Sequence, residues 1–338
     1  MKKTQVALAA LALVASSAAL ADVTVYGALD VGVASNSNGT AFFGAGNSNT
    51  SLFGLKGSED IGGGLKAAFN LEGGLNGSTG AYGANGGVGT ALFNRAANVS
   101  LSTEAVGVTL GTQTSPFILA GLNGVTAVGG NGAFVPALIR LDGGSLATVS
   151  VNGTATGGFF ISDAASISVN GGGISASALY RVKPKTGTES SYSAASVSTS
   201  VGGVNLALGY QSLGTTTAAS ERTNLLVSAN TTVAGVRLNA AYSDNGGNTA
   251  NKSTGYIVGA SMPLVGALSG GLTFSDNSKA TIGKATTLSL QYDLSKATYS
   301  YLNYSTFGVA SNGGFAANDA AGLAVAKSLL TVGVAHSF

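Results

Sequence analysis

The chain has 338 residues, among them 52 glycines, four prolines, no tryptophan and no cysteine. Charged residues make up 9 % of it, where roughly 25 % is usual in a soluble domain, and a soluble protein this poor in charge would struggle to stay dispersed. Without cysteine neither a disulfide frame nor a thiolate metal site can form, and no apolar run after the first twenty residues is long enough to cross a bilayer as a helix.

The N-terminus has the three parts of an export signal. Lys2 and Lys3 give a positive start, residues 6–15 an apolar core, and Ala19-Leu20-Ala21 a small-x-small cleavage site. The expected division is a cleaved signal peptide, residues 1–21, and one domain, residues 22–338. Without Lys2 and Lys3 fourteen basic and fourteen acidic residues remain, a formal net charge of zero that argues against a nucleic-acid partner.

From Asp22 onward the period is two. In "VTVYGALDVGV" Val23, Val25, Leu29, Val31 and Val33 share one face, and Thr24, Tyr26, Ala28 and Asp30 the other. "LKAAFNLE" sets Leu65, Ala67, Phe69 and Leu71 against Lys66, Ala68, Asn70 and Glu72. "GVNLALGY", "VRLN" and "LSLQYD" repeat the pattern further along. Short turns are expected at 58–64, 103–107, 170–173, 201–203, 234–235, 263–266 and 294–295. Longer polar connections fall near 35–49, 76–90, 114–158, 184–190, 213–221, 244–253, 276–284 and 306–326. Such an alternation predicts sixteen strands, although "GGSLATVSVNG" (143–153) could add a short one.

An even count of strands, alternate short and long connections, and one apolar and one polar face describe a transmembrane β-barrel. Closure pairs every strand edge, which is what lipid demands, and sixteen strands leave room for a water-filled lumen. Lys56, Lys66 and Glu72 can then sit within strands because their face meets water. The last strand, "SLLTVGVAHSF", alternates in the same way and ends on Phe338, as outer-membrane barrels do.

Several segments together resemble the general porins of Gram-negative bacteria, of the beta-proteobacterial and neisserial type. They are "VTVYGALDVGV", "FGLKGSEDIGGGLKAAFNLE", "LFNRAANVSLS", "VTLGTQTSPF" and the closing "VGVAHSF". The likeness spans the mature chain, strongest over residues 22–117 and at the C-terminus. It implies an all-β, sixteen-stranded antiparallel transmembrane barrel in the cell outer membrane, assembled as a homotrimer. It also implies a long third loop, here about 114–158, folded into the lumen to narrow it.

Charges facing one another across such a constriction set ion selectivity, and here the family's usual arginines are thinned. Leu52, Thr112, Ala335 and Ser337 stand where they are expected, and "FISDAASISVNGG" has none, although Arg95 of "FNR" remains. The loop carries no charge from Gln113 to Ile139 and then only Arg140 and Asp142 before Asp163. The expected lumen residues are therefore Arg95, Arg140, Asp142, Lys56 and Lys66, around a weakly selective pore for small hydrophilic solutes and ions. Arg95 could equally be a wall residue paired with a carboxylate, and Arg140 and Asp142 a surface pair. Lys66, Glu72, Arg181, Lys183 and Arg237 fall on the inward face, Glu59 and Asp60 in a short turn. Tyr26, Tyr210, Tyr242, Tyr256 and Tyr292 suit interfacial girdles.

Catalysis is not indicated. His336 is the only histidine, so a serine nucleophile elsewhere has no imidazole base. Neither a metal nor another cofactor is implied. The alternative is an outer-membrane or secreted β-rich adhesin, but a solenoid would show a fixed internal period, and the turn spacing is irregular.

Overall fold

The computed structural model describes residues 22–39, 41–45, 48–82, 91–124, 128, 130, 149–151, 154–156, 159–182, 191–214, 222–247, 252–279, 283–311 and 326–338. The strands are β1 (Asp22–Asn36), β2 (Ala41–Ala45), β3 (Leu52–Gly62), β4 (Leu65–Gly74), β5 (Ala96–Ser102) and β6 (Val106–Thr114). A short helix, α1 (Pro116–Leu122), and the small strands β7 (Val149–Val151) and β8 (Thr154–Thr156) follow. Next come β9 (Phe160–Gly171), β10 (Ile174–Arg181), β11 (Ser191–Val201), β12 (Val204–Gly214) and β13 (Arg222–Val233). The remaining strands are β14 (Val236–Gly247), β15 (Ser253–Val265), β16 (Leu268–Asn277), β17 (Ala285–Asp293), β18 (Thr298–Ser311) and β19 (Ala326–Ser337).

Seventeen strands join in one antiparallel sheet, and β7 pairs with β8 alone in a second, two-stranded one. Both β2 and β3 pair with β1, so they are successive pieces of a single stave and the barrel has sixteen. The piece at 149–151 within the stretch suspected of an extra strand lies outside the barrel sheet, and the count stands. Closure comes where β1 meets β19, in register from Ala28 opposite Ser337 to Asn36 opposite Leu329. Gly27 and Phe338 extend this seam by two backbone hydrogen bonds of 3.0 Å.

Alternation follows the predicted faces. Val23, Val25, Leu29 and Val33 point outward and are exposed, whereas Ala28, Asp30 and Ala34 point inward and are buried. The same outward apolar band continues through Val99, Leu110, Ile167, Leu208, Val227 and Val332, as lipid contact requires. Tyr210, Tyr242, Tyr256 and Tyr292 lie on this outer face.

Three expectations change: the connection expected near 35–49 holds β2, which pairs with β1 from Ala45 opposite Val31 to Ala41 opposite Ser35. The turn placed at 58–64 shrinks to Gly63–Gly64, because Glu59 and Asp60 are still paired within β3, opposite Ala67 and Lys66. Asp60 still orders the turn, its Oδ1 accepting the Gly62 N–H at 2.9 Å. Tyr26 is no girdle residue, since it shares the parity of Asp30 and turns its hydroxyl inward onto β4.

Candidate functional site

Two groups of inward-facing residues build the interior. On the first wall, β1, β3, β4 and β5 hold a charged cluster. The Tyr26 hydroxyl lies 2.8 Å from Asn70 Oδ1 and 2.9 Å from Glu72 Oε2. Glu72 Oε1 in turn accepts from Arg95 Nε at 2.7 Å, and the Arg95 backbone N–H donates to the Glu72 carbonyl at 3.0 Å. The Arg95 guanidinium also lies 4.4 Å from the centroid of the Phe160 ring, and Lys56 Nζ lies 5.1 Å from that of Tyr26. Such cation–ring contacts hold a charge in place at little desolvation cost.

Local register explains why these groups meet. Gly54 is opposite both Tyr26 and Glu72, and Lys56 is opposite Thr24 and Asn70. A Cβ at Gly54 would lie 2.4 Å from the Tyr26 ring, so the missing side chain is what lets the phenol cross β3 to reach β4. Arg95 follows the long connection after β4 and is brought beside Glu72 by its own backbone bond to that residue's carbonyl.

The expected residues separate accordingly. Arg95 and Lys56 share the cluster, and Arg95 is both an inward residue and half of an ion pair. Lys66 is exposed and four residues before Asn70 in β4, about 13 Å toward the Gly63–Gly64 turn. Arg140 and Asp142 lie outside the described residues, as does Lys183. Arg181 is buried in the wall with Nη2 3.9 Å from Asp163 Oδ2, and Arg237 faces inward near the 234–235 turn. Tyr26, Glu72 and Phe160 complete the cluster; the sequence reading puts Glu72 on the inward face without a partner and gives no inward role to Tyr26 or Phe160. The parity of Tyr26 with Asp30 and of Glu72 with Lys66 was the available signal.

On the second wall α1 lies against the inward faces of β10 to β13. Ser115 caps it, its Oγ accepting the Phe117 N–H at 3.2 Å, and Pro116 opens it. The Ser115 and Tyr192 hydroxyls are 2.5 Å apart, and Tyr192 donates to Gln211 Oε1 at 2.9 Å. Phe117, Ile118 and Ala120 are buried in a cluster with Ile161, Leu179, Ala207, Leu226 and Ile257. A Cβ at Gly209 would stand 3.0 Å from that of Ala120.

Amides continue the seat beyond the helix. Ser228 Oγ donates to the Ala120 carbonyl at 2.6 Å, Asn230 Nδ2 to that of Asn123 at 2.8 Å, and Asn239 Nδ2 to that of Gly124 at 2.8 Å. Further along, Gly130 abuts the carbonyl of Ser48 beside β1. Six residues span at most about 21 Å, which bounds the separation of these two attachment points.

The comparisons agree with this architecture. The model of the family described as Gram-negative porin matches residues 7–310. No curated protein sequence matches the chain with significance. Among solved structures, the anion-selective porin from Comamonas acidovorans is 23 % identical, with a TM-score of 0.70 over 94 % of this chain and 100 % of that one. OmpF of Salmonella typhi, solved with daunomycin, is 14 % identical, with a TM-score of 0.67 over 94 % and 98 %. The trimer form of OmpT, an outer membrane protein of Vibrio cholerae, is 12 % identical, with a TM-score of 0.63 over 94 % and 99 %. A closed sixteen-stave barrel, apolar outside and polar within, and a family match over most of its length make the chain a member of the Gram-negative porins, an outer-membrane channel for passive diffusion.

Proposed function

We propose that this porin is a pore of weak charge selectivity for small hydrophilic solutes and ions. Its constriction lies between the Tyr26–Lys56–Glu72–Arg95 cluster and the loop that begins with α1. The carrying observation is the 2.7 Å ion pair between Arg95 and Glu72. A carboxylate held against the guanidinium cancels most of its field at a distance, so the wall with the most charge presents little net charge to a passing ion. The uncharged loop segment from Gln113 to Ile139 gives no opposing acidic rim.

A residual preference for anions follows from Lys56, with Lys66 adding to it only at low salt. Both are exposed on the inward face, and among the described residues no carboxylate lies within ion-pair distance of either. Support for the inward loop comes from its attachments to β10–β14 and to Ser48. Cleavage before Asp22 and assembly as a homotrimer belong to the same reading. The trimer draws on the fold shared with the Vibrio cholerae protein solved in that form.

The test is the mature protein in a planar bilayer under a potassium chloride gradient. Stable conductance steps are expected, with a small reversal potential of the sign for chloride. A large potential of either sign would mean that other charges line the narrowest point, and the reading would fall.

A further inference from the structure

Between β2 and β3 the wall is interrupted. Ala28 pairs with Leu52 and Val31 with Ala45, which leaves Leu29 and Asp30 of β1 between the two ladders. Ser48 and Asn49 belong to neither ladder, and buried backbone N–H groups need acceptors. Asp30, fully buried, supplies them. Its Oδ2 accepts the N–H of Ser48 at 2.5 Å and of Asn49 at 2.7 Å, and its Oδ1 accepts the Tyr301 hydroxyl at 2.6 Å. Its own N–H donates to Ser51 Oγ at 2.9 Å.

A buried carboxylate is tolerated only when its lone pairs are filled, and three short charge-assisted bonds fill them here in one geometry. What this geometry fixes is the carbonyl of Ser48. Gly130, at φ +47°, lies so close that a Cβ there would stand 1.8 Å from that oxygen. The contact is backbone against backbone and needs glycine both for space and for the left-handed conformation. Thus the second attachment of the loop rests on a bulge that Asp30 holds, while the first rests on the α1 seat.

We propose that Asp30 is a positioning residue for the pore. By clamping the Ser48–Asn49 bulge onto Tyr301 it sets where Gly130 lands, and so how far the loop narrows the channel. The inference depends on the loop being the constriction, as argued above.

Asp30→Asn keeps the side-chain volume but leaves one acceptor oxygen where the network uses two, so either the N–H pair of the bulge or the Tyr301 hydroxyl loses its acceptor. The variant barrel, still folded by its heat-modifiable mobility in detergent gels, should show a higher single-channel conductance, noisier open current and a larger exclusion limit in liposome swelling with neutral sugars. Tyr301→Phe should shift the same readouts less. Gly130→Ala should reproduce the Asp30→Asn phenotype, and the double variant should not exceed it, since both act through one contact. Wild-type conductance and exclusion limit in folded Asp30→Asn, or additive effects in the double variant, would overturn the proposal. Should Asp30→Asn fail to fold, Gly130→Ala decides alone, and wild-type behaviour there overturns it too. Phe117→Asp, which frees the other attachment, separates the two claims. If it alters conductance while Asp30→Asn does not, only the role of Asp30 falls. If neither alters it, the loop is not the constriction.

Discussion

Strands β3 to β5 and strands β11 to β14 both turn every second residue inward, yet one set lines water and the other a dry seat. The first set presents Lys56 and Lys66, both exposed, and the ion pair of Glu72 with Arg95, which lies just before β5. The second presents Ala194, Ala207, Gly209, Leu226 and Ala241 with Asn230 and Asn239 nearer the 234–235 turn, and these are covered by α1 and the residues after it. A period of two says only that a residue faces inward. Whether it meets solvent or another part of the chain depends on its size and on what it can satisfy. Small residues make room for a helix, and amides pair with the open carbonyls at its C-terminal end.

If this division is right, the two walls should respond to substitution in different ways. The largest effect is expected from Phe117→Asp, which puts an unpaired carboxylate into the apolar seat at a cost of several kcal/mol. Even Phe117→Ala removes a buried ring worth about 3–5 kcal/mol in soluble cores. The barrel itself should persist, because its ladder does not include α1, while conductance and protease sensitivity of the loop both rise. A wild-type exclusion limit in Phe117→Asp would erase the distinction between the walls. On the charged wall, Gly54→Val should drive a side chain into the Tyr26 ring and cost about 1–3 kcal/mol by overpacking, read as a lower unfolding temperature in detergent. Tyr26→Phe, which only removes the hydroxyl shared with Asn70 and Glu72, should cost about 1 kcal/mol.

The barrel was legible because period, turn chemistry and closure repeat the same message. Glycines at 172–173 and 202–203 take positive φ at both central positions, the geometry that two-residue hairpins favour. The interior was legible only in part. Helix α1 carries local start signals, Ser115 as cap and Pro116 at the first position before "FILAGL", and these went unread inside a long connection. The ion pair of Arg95 with Glu72 joins residues 23 apart, and the bond of Asp30 with Tyr301 joins residues 271 apart. No local pattern encodes such meetings, since they arise from register across neighbouring strands and from closure of the ring. Tyr26 shows the opposite: its residue type suggests a girdle, while its parity with Asp30 puts it inside.

Smaller effects should come from charge alone, and their signs can be fixed in advance. Glu72→Gln leaves the Arg95 cation without its carboxylate and should move the reversal potential further toward chloride. Arg95→Ala leaves the Glu72 anion and should move it toward potassium. One unit charge several ångströms from an ion in water is worth about 0.5 kcal/mol, or roughly a twofold change in permeability ratio. Changes of the same sign in both variants would mean that the pair acts through structure and not through its field. Lys66→Ala should do least. Its ammonium lies toward the Gly63–Gly64 turn, about 13 Å along the strand from the level of Asn70, and at 0.1 M salt the screening length is about 10 Å. Its removal should leave selectivity unchanged at that salt and produce a slight loss of chloride preference only near 0.01 M, where screening extends to about 30 Å. A clear loss at 0.1 M would place the narrowest point near the short-turn end, below the cluster, and the loop attached at Ser48 could not then be what defines it.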